Sequence, residues 1–391
     1  MRHLLLRVAI AALCVQGASI KGAGAQDNPA KPKIAPTPAA MAEYHKNMKV
    51  CSEARAKHEA VAVPYWSRVG DKRKARIAKR RAGEPVTLED YVLEQPPQYP
   101  GPVCPRDPSV KQPDQPDDSP ELPVVADFLR NAREHFGFVP EQANEIEFKR
   151  SYVRIASDAG ITRDQVVRIY GFETGGNGRF DAQAGLIFNK PNARAISTAI
   201  GYNQLLTANT TSLLAGKGNG FVKILQARAA ELSGEQHRKL EHKIEALKRM
   251  VAFSRTVPEQ WSEHVKLART PKGLALHALN LDIDIGPLLQ TQKLLDSVRF
   301  AKIKGIDRTL TAAELEMMNL TGDGNGFDML SLTPEMRAQV PTSNFFQRLG
   351  YERNPIAGRT KVVEKLIAET NAVMDNRVGF DGAKDLMRLY K

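Results

Sequence analysis

Thr162-Arg163-Asp164-Gln165-Val166-Val167-Arg168-Ile169-Tyr170-Gly171-Phe172-Glu173-Thr174 runs directly into Gly175-Gly176-Asn177-Gly178. Thr162 and Gln165 stand at capping-box spacing, which marks a helix start. Val166, Ile169, Tyr170 and Glu173 then follow at helical intervals. At about 100° per residue, Glu173 lies within roughly 20° of Val166, on the face expected to be buried. The glycine run ends the helix and lets backbone approach closely. Burial disfavours a charged carboxylate and raises its pKa, the property a general acid needs near neutral pH. The plainer alternative is a glutamate that caps or salt-bridges a helix end.

Outward from this passage the pattern stays helical. Apolar residues recur at helical spacing in 124–136, 141–159, 162–173, 202–214, 221–232, 235–253, 260–268, 274–281, 286–303, 312–319, 334–349 and 361–374, and alternating runs are almost absent. The fold class is therefore mainly α. Across 391 residues, 42% hydrophobic and 26% charged content excludes wholesale disorder and suits two or three structural units. Beyond the N-terminus no apolar run reaches the ~20 residues of a membrane-spanning helix.

Residues 1–25 have the layout of a secretory signal: Arg2, His3 and Arg7, an apolar stretch through Leu13, and Ala23-Gly24-Ala25 before Gln26. The expected location is exported, periplasmic or secreted in a bacterium. Removing Arg2, Arg7 and Lys21 from 56 basic residues leaves 53 against 44 acidic. Such a balance suits an anionic partner, and export disfavours nucleic acid. Cys14 leaves with the signal, and the remaining Cys51 and Cys104 permit one disulfide.

Sixteen of the 24 prolines lie between Pro29 and Pro123, delimiting a proline-flanked, basic N-terminal region over 26–120. Within it, 41–95 holds helical pieces, including 42–62 and the basic run Asp71–Arg81. That run is either a solvated helix face or a patch for anionic envelope polymers. Residues 96–123 are expected to be extended.

Past the acid, Ala199-Ile200-Gly201-Tyr202-Asn203-Gln204-Leu205 sets a glycine before an expected helix, with Gln204 available to hold a substrate group or the carboxylate. Here the chain resembles the soluble lytic transglycosylases, lysozyme-like enzymes that cut bacterial peptidoglycan. Glu173-Thr174-Gly175-Gly176-Asn177-Gly178 is similar to their E-S-G-F-N-P motif. Thr198 to Leu205 is similar to G-A-x-G-L-M-Q-L, and Asp284 to Leu289 to N-I-x-x-G-x-x-Y-L. Met317 to Gly322 resembles A-Y-N-A-G with one extra residue, and Pro341 to Phe345 resembles P-E-T-R-N-Y.

The resemblance covers residues 160–350. It implies a lysozyme-like helical catalytic domain over 121–350, with a long helical insertion at about 216–281, followed by a C-terminal helical segment over 351–391. It also implies Glu173 as acid and then base, without a cofactor. Thr174, Tyr202, Asn203, Gln204, Asn319 and Phe345 would bind the glycan strand. Met318 and Phe345 stand where the family has tyrosines, one of which hydrogen-bonds the catalytic glutamate, so Tyr202, Tyr170 or Tyr351 would have to substitute.

Two other readings stay open. Asp181 could be a second carboxylate that activates water, as in lysozyme-type muramidases. The chain could also be a non-catalytic peptidoglycan-binding scaffold. No metal is expected: Asp323 to Asp328 misses the calcium-loop order, and His237 and His242 are five apart.

Overall fold

A computed structural model of the chain describes residues 36–109, 122–141, 143–186 and 193–390; the expected export segment lies outside them. The protein is mainly α, 69% helix, with no strand among the described residues. Single bridges occur at Gln183–Ile200, Ile200–Leu205 and Pro341–Val362.

The chain forms α1 (Pro38–Ala82), α2 (Val125–Phe136), α3 (Glu145–Asp158), α4 (Arg163–Thr174), α5 (Thr207–Ala230) and α6 (Gly234–Ser254). There follow α7 (Trp261–Ala268), α8 (Pro271–His277), α9 (Gly286–Ile303), α10 (Ala312–Thr321) and α11 (Asp323–Leu330). The last five are α12 (Pro334–Gln339), α13 (Arg348–Glu352), α14 (Pro355–Thr360), α15 (Val363–Arg377) and α16 (Asp381–Leu389).

Helix α4 is the structural axis. Its capping box forms as expected, with the Gln165 amide donating to Thr162 Oγ1 at 3.2 Å and the Thr162 amide to Gln165 Oε1 at 2.9 Å. Helices α3, α10, α15 and α16 pack around it. Val166, Val167, Ile169, Tyr170 and Phe172 are all buried, each contributing on the order of 1.5–3 kcal/mol.

The expected helices at 202–214 and 221–232 are a single helix, α5, which runs through Gly216, Gly218 and Gly220. A Cβ at Gly218 would sit 2.3 Å from Val251 Cγ2, so the missing side chain lets α5 and α6 cross closely. The expected helix at 334–349 is broken at Pro341 into α12, a 3₁₀ turn (Thr342–Phe345) and α13. Asp323 to Asp328, weighed as a cation loop, begins α11 instead.

The N-terminal region differs most from expectation. Its helical pieces are one 45-residue helix that continues through Pro64. Residues 84–109 fold back beside it, joined by the Cys51–Cys104 disulfide with Cα atoms 5.3 Å apart. The basic run is not a wholly solvated face, although Lys74 and Arg81 within it are exposed. Arg73 and Arg76 are buried: Arg73 donates to the carbonyls of Asn344 and Phe346, and Arg76 to Asp328 and the Asn344 carbonyl. Asn344 returns the contact, pairing its amide with the backbone of Val92 at 2.9 and 2.8 Å.

No helix among the described residues is long and apolar enough to cross a membrane.

Candidate active site

Glu173 closes the last turn of α4, where Gly175 enters the left-handed region at φ 73° and Gly176 follows at 85°. A Cβ on Gly176 would lie 2.7 Å from the Arg377 carbonyl oxygen and 2.9 Å from Phe380 Cβ. The C-terminal residues therefore press directly on the turn. Arg377 donates to the Gly175 carbonyl, the Gly382 amide to Asn177 Oδ1 at 2.9 Å, and the Ala383 amide to the Gly176 carbonyl at 3.0 Å. The 351–391 segment is thus part of the wall behind the acid.

Helix α10 supplies the groups that meet Glu173. Asn319 Nδ2 donates to Glu173 Oε1 at 2.6 Å. One turn earlier, Glu316 is fully buried and its carboxyl lies within hydrogen-bonding reach of the Glu173 carboxyl. Neither Glu316 oxygen meets a donor in hydrogen-bonding geometry, as expected where one carboxyl faces another.

Burial, then the charge and hydrogen bond of Glu316, raise the Glu173 pKa well above the usual carboxyl range, and the Asn319 amide opposes them. Burial raises Glu316 to about 7, offset in part by its contacts with Glu173 and Asn319 and by the Lys293 ammonium. Glu173 nevertheless keeps part of its surface open, whereas Glu316 has none.

Among the other expected site residues, Thr174 is partly exposed and donates its hydroxyl to the Tyr170 carbonyl. Gln204 precedes α5 in a tight turn at φ 43°, rather than lying within a helix. Its amide donates to the carbonyls of Gly201 (2.8 Å) and Ala182 (3.2 Å), tying this turn to the loop that follows α4. Asp181 is ion-paired with Arg179 at 3.1 Å.

Three expected substrate ligands are core residues, which corrects their assignment. Asn203 is buried and joins Tyr152 and Gln290. Tyr202 is buried among Tyr152, Tyr170 and Phe148, with its hydroxyl donated to Glu145 Oε1 at 2.7 Å. Phe345 is buried against Tyr91. None of the substitute tyrosines hydrogen-bonds Glu173: Tyr170 donates to the Gly178 carbonyl, and Tyr351 packs on Trp66 and Phe346. Asn319 and Glu316 occupy that role.

A buried polar network underlies the 198–206 turn. His277 bridges Thr210 Oγ1 and the Thr198 carbonyl at 2.8 Å each, and Gln290 connects Asn280 with Asn203. Burial lowers His277 to about 3, so its ring is neutral.

No group of residues suited to a metal ion occurs among the described residues. No family model, curated protein or solved structure matches the chain.

Proposed function

We propose that this protein cleaves peptidoglycan as a lytic transglycosylase, with Glu173 as its acid and base. The observation that carries the reading is an enclosed carboxyl with a raised pKa, on a residue that keeps part of its surface open, fixed by Asn319 at the end of α4 beside a glycine turn. The motif order described above supplies the substrate class.

In this scheme protonated Glu173 gives its hydrogen to the glycosidic oxygen as the bond to the muramyl anomeric carbon breaks. The substrate's acetamido oxygen stabilises the cationic centre. The Glu173 carboxylate then takes the proton of the 6-hydroxyl as that oxygen bonds to the anomeric carbon, giving a 1,6-anhydro end without consuming water. Asn319 holds the acid in register, and orientation of this kind supplies a large share of enzymatic rate. Asp181 stands in a half-exposed ion pair with Arg179 on the loop after α4.

The test is digestion of purified peptidoglycan by the wild type and by Glu173→Gln, followed by mass spectrometry of the fragments. Anhydro ends released only by the wild type are the expected result. Reducing ends would make the protein a hydrolase, and binding without release in both proteins would make it a scaffold.

A further inference from the structure

Glu316 and Asn319 are three residues apart on α10 and so share a helix face. Asn319 fastens Glu173 Oε1, and Glu316, with both its oxygens enclosed, reaches the same carboxyl. Two ionised carboxylates in contact repel each other, and burial removes the water that would screen them. One hydrogen between them converts the repulsion into a charge-assisted hydrogen bond, among the stronger kinds available to side chains. Lys293 of α9 is the cation that acts on Glu316, and its ammonium also lies 4.0 Å from Asp323 of α11. On the other side, Arg377 of α15 is directed to the Gly175 carbonyl.

We propose that Glu316 is a positioning residue for the acid, its carboxyl sharing one proton with Glu173. The proposal deepens the transglycosylase reading and rests on it for its consequence in turnover. Glu316 has no exposed surface and acts only through Glu173. When Glu173 protonates the glycosidic oxygen, the pair is left doubly negative. The repulsion makes Glu173 a stronger base, ready to take the proton of the 6-hydroxyl. That transfer restores the singly protonated pair, so each turnover leaves the proton count unchanged.

Glu316→Gln tests this, because the amide preserves shape and hydrogen bonding but removes the shared proton and the like charge. Two readouts are compared with wild type: the pH profile of cleavage of purified peptidoglycan, and the 13C titration of side-chain carboxyls in glutamate-labelled protein. In the variant the alkaline limb is expected to move down by at least about one pH unit, with kcat at pH 7 falling at least about tenfold and KM changing less than about twofold. The raised Glu173 titration should fall by a similar interval. An unchanged limb together with an unchanged titration overturns the proposal, since a merely structural Glu316 would give that result.

If the wild type releases no fragments at any pH, the transglycosylase reading fails, and the carboxyl titration still decides whether the pair shares a proton. If the variant does not fold, wild-type protein alone suffices. Two coupled steps, one of them near pH 7, support the pair, and ordinary single-step carboxyl titrations refute it.

Discussion

Two of the places where this molecule buries charge do so under different terms. At Lys243 an ammonium on α6 meets Glu141, Asp282 (3.3 Å) and Asp284, with Arg228 joining Asp284 from α5. At Glu173 a carboxyl meets another carboxyl and an amide. In the first cluster burial pushes Asp284 up, yet Lys243 and Arg228 bring it below its ordinary value; Asp282, more deeply enclosed, stays raised. In the second, no cation is placed to offset burial fully, and both glutamates are raised. Compensated burial holds elements together, whereas uncompensated burial stores a proton where chemistry can use it.

The largest effect that would sharpen this contrast is on catalysis. Glu173→Gln should lower fragment release from peptidoglycan at least about 10³-fold, while leaving the thermal midpoint no lower than wild type. Lys243→Met should do the reverse. Removing the cation from the compensated cluster leaves buried acids unpaired and is expected to cost about 3–5 kcal/mol in urea unfolding. The folded fraction of that variant should cleave within about twofold of wild type.

A smaller effect concerns pH and stability. Glu316 titrates near 7 when folded against an ordinary value of 4.5, so it favours the folded state below about pH 4.5, and this contribution is lost as pH rises through 7. Wild type should therefore lose stability relative to Glu316→Gln across that interval, as read from paired denaturation curves at several pH values. Smallest of all, Asp181→Asn should change fragment release by less than about threefold. A drop beyond a hundredfold would restore the water-activating reading.

Much of α4 was legible because its signals are local: the Thr162–Gln165 cap, the period through Tyr170 and the glycines after Thr174 each act within one or two turns. Helix ends and fusions were less legible. Gly216, Gly218 and Gly220 read as a break, but they sit where α5 must pass close to α6, and that constraint belongs to the partner helix. Pro64 likewise lies inside α1, where a proline removes one backbone hydrogen bond and crowds the preceding turn.

At the candidate site, Glu173 and Asn319 were singled out from pattern and resemblance. Glu316 was missed because nothing in the local sequence marks it off from Glu314, which caps α10 and pairs with Arg308. Its spacing of three from Asn319 was the available signal. Tyr202, Asn203 and Phe345 sit beside motif positions, but a motif does not disclose which of its side chains turn inward.

Arg377, Phe380 and Gly382 back the turn at Gly175 to Asn177, so the acid's support comes from residues 202 and 205 positions further along the chain. A nascent polypeptide that has reached residue 376 already carries Glu173, Glu316 and Asn319, but it lacks the residues that press on the glycine turn behind the acid. The wall behind Glu173 therefore closes only once residues 377 to 383 have emerged, well after the residue it supports.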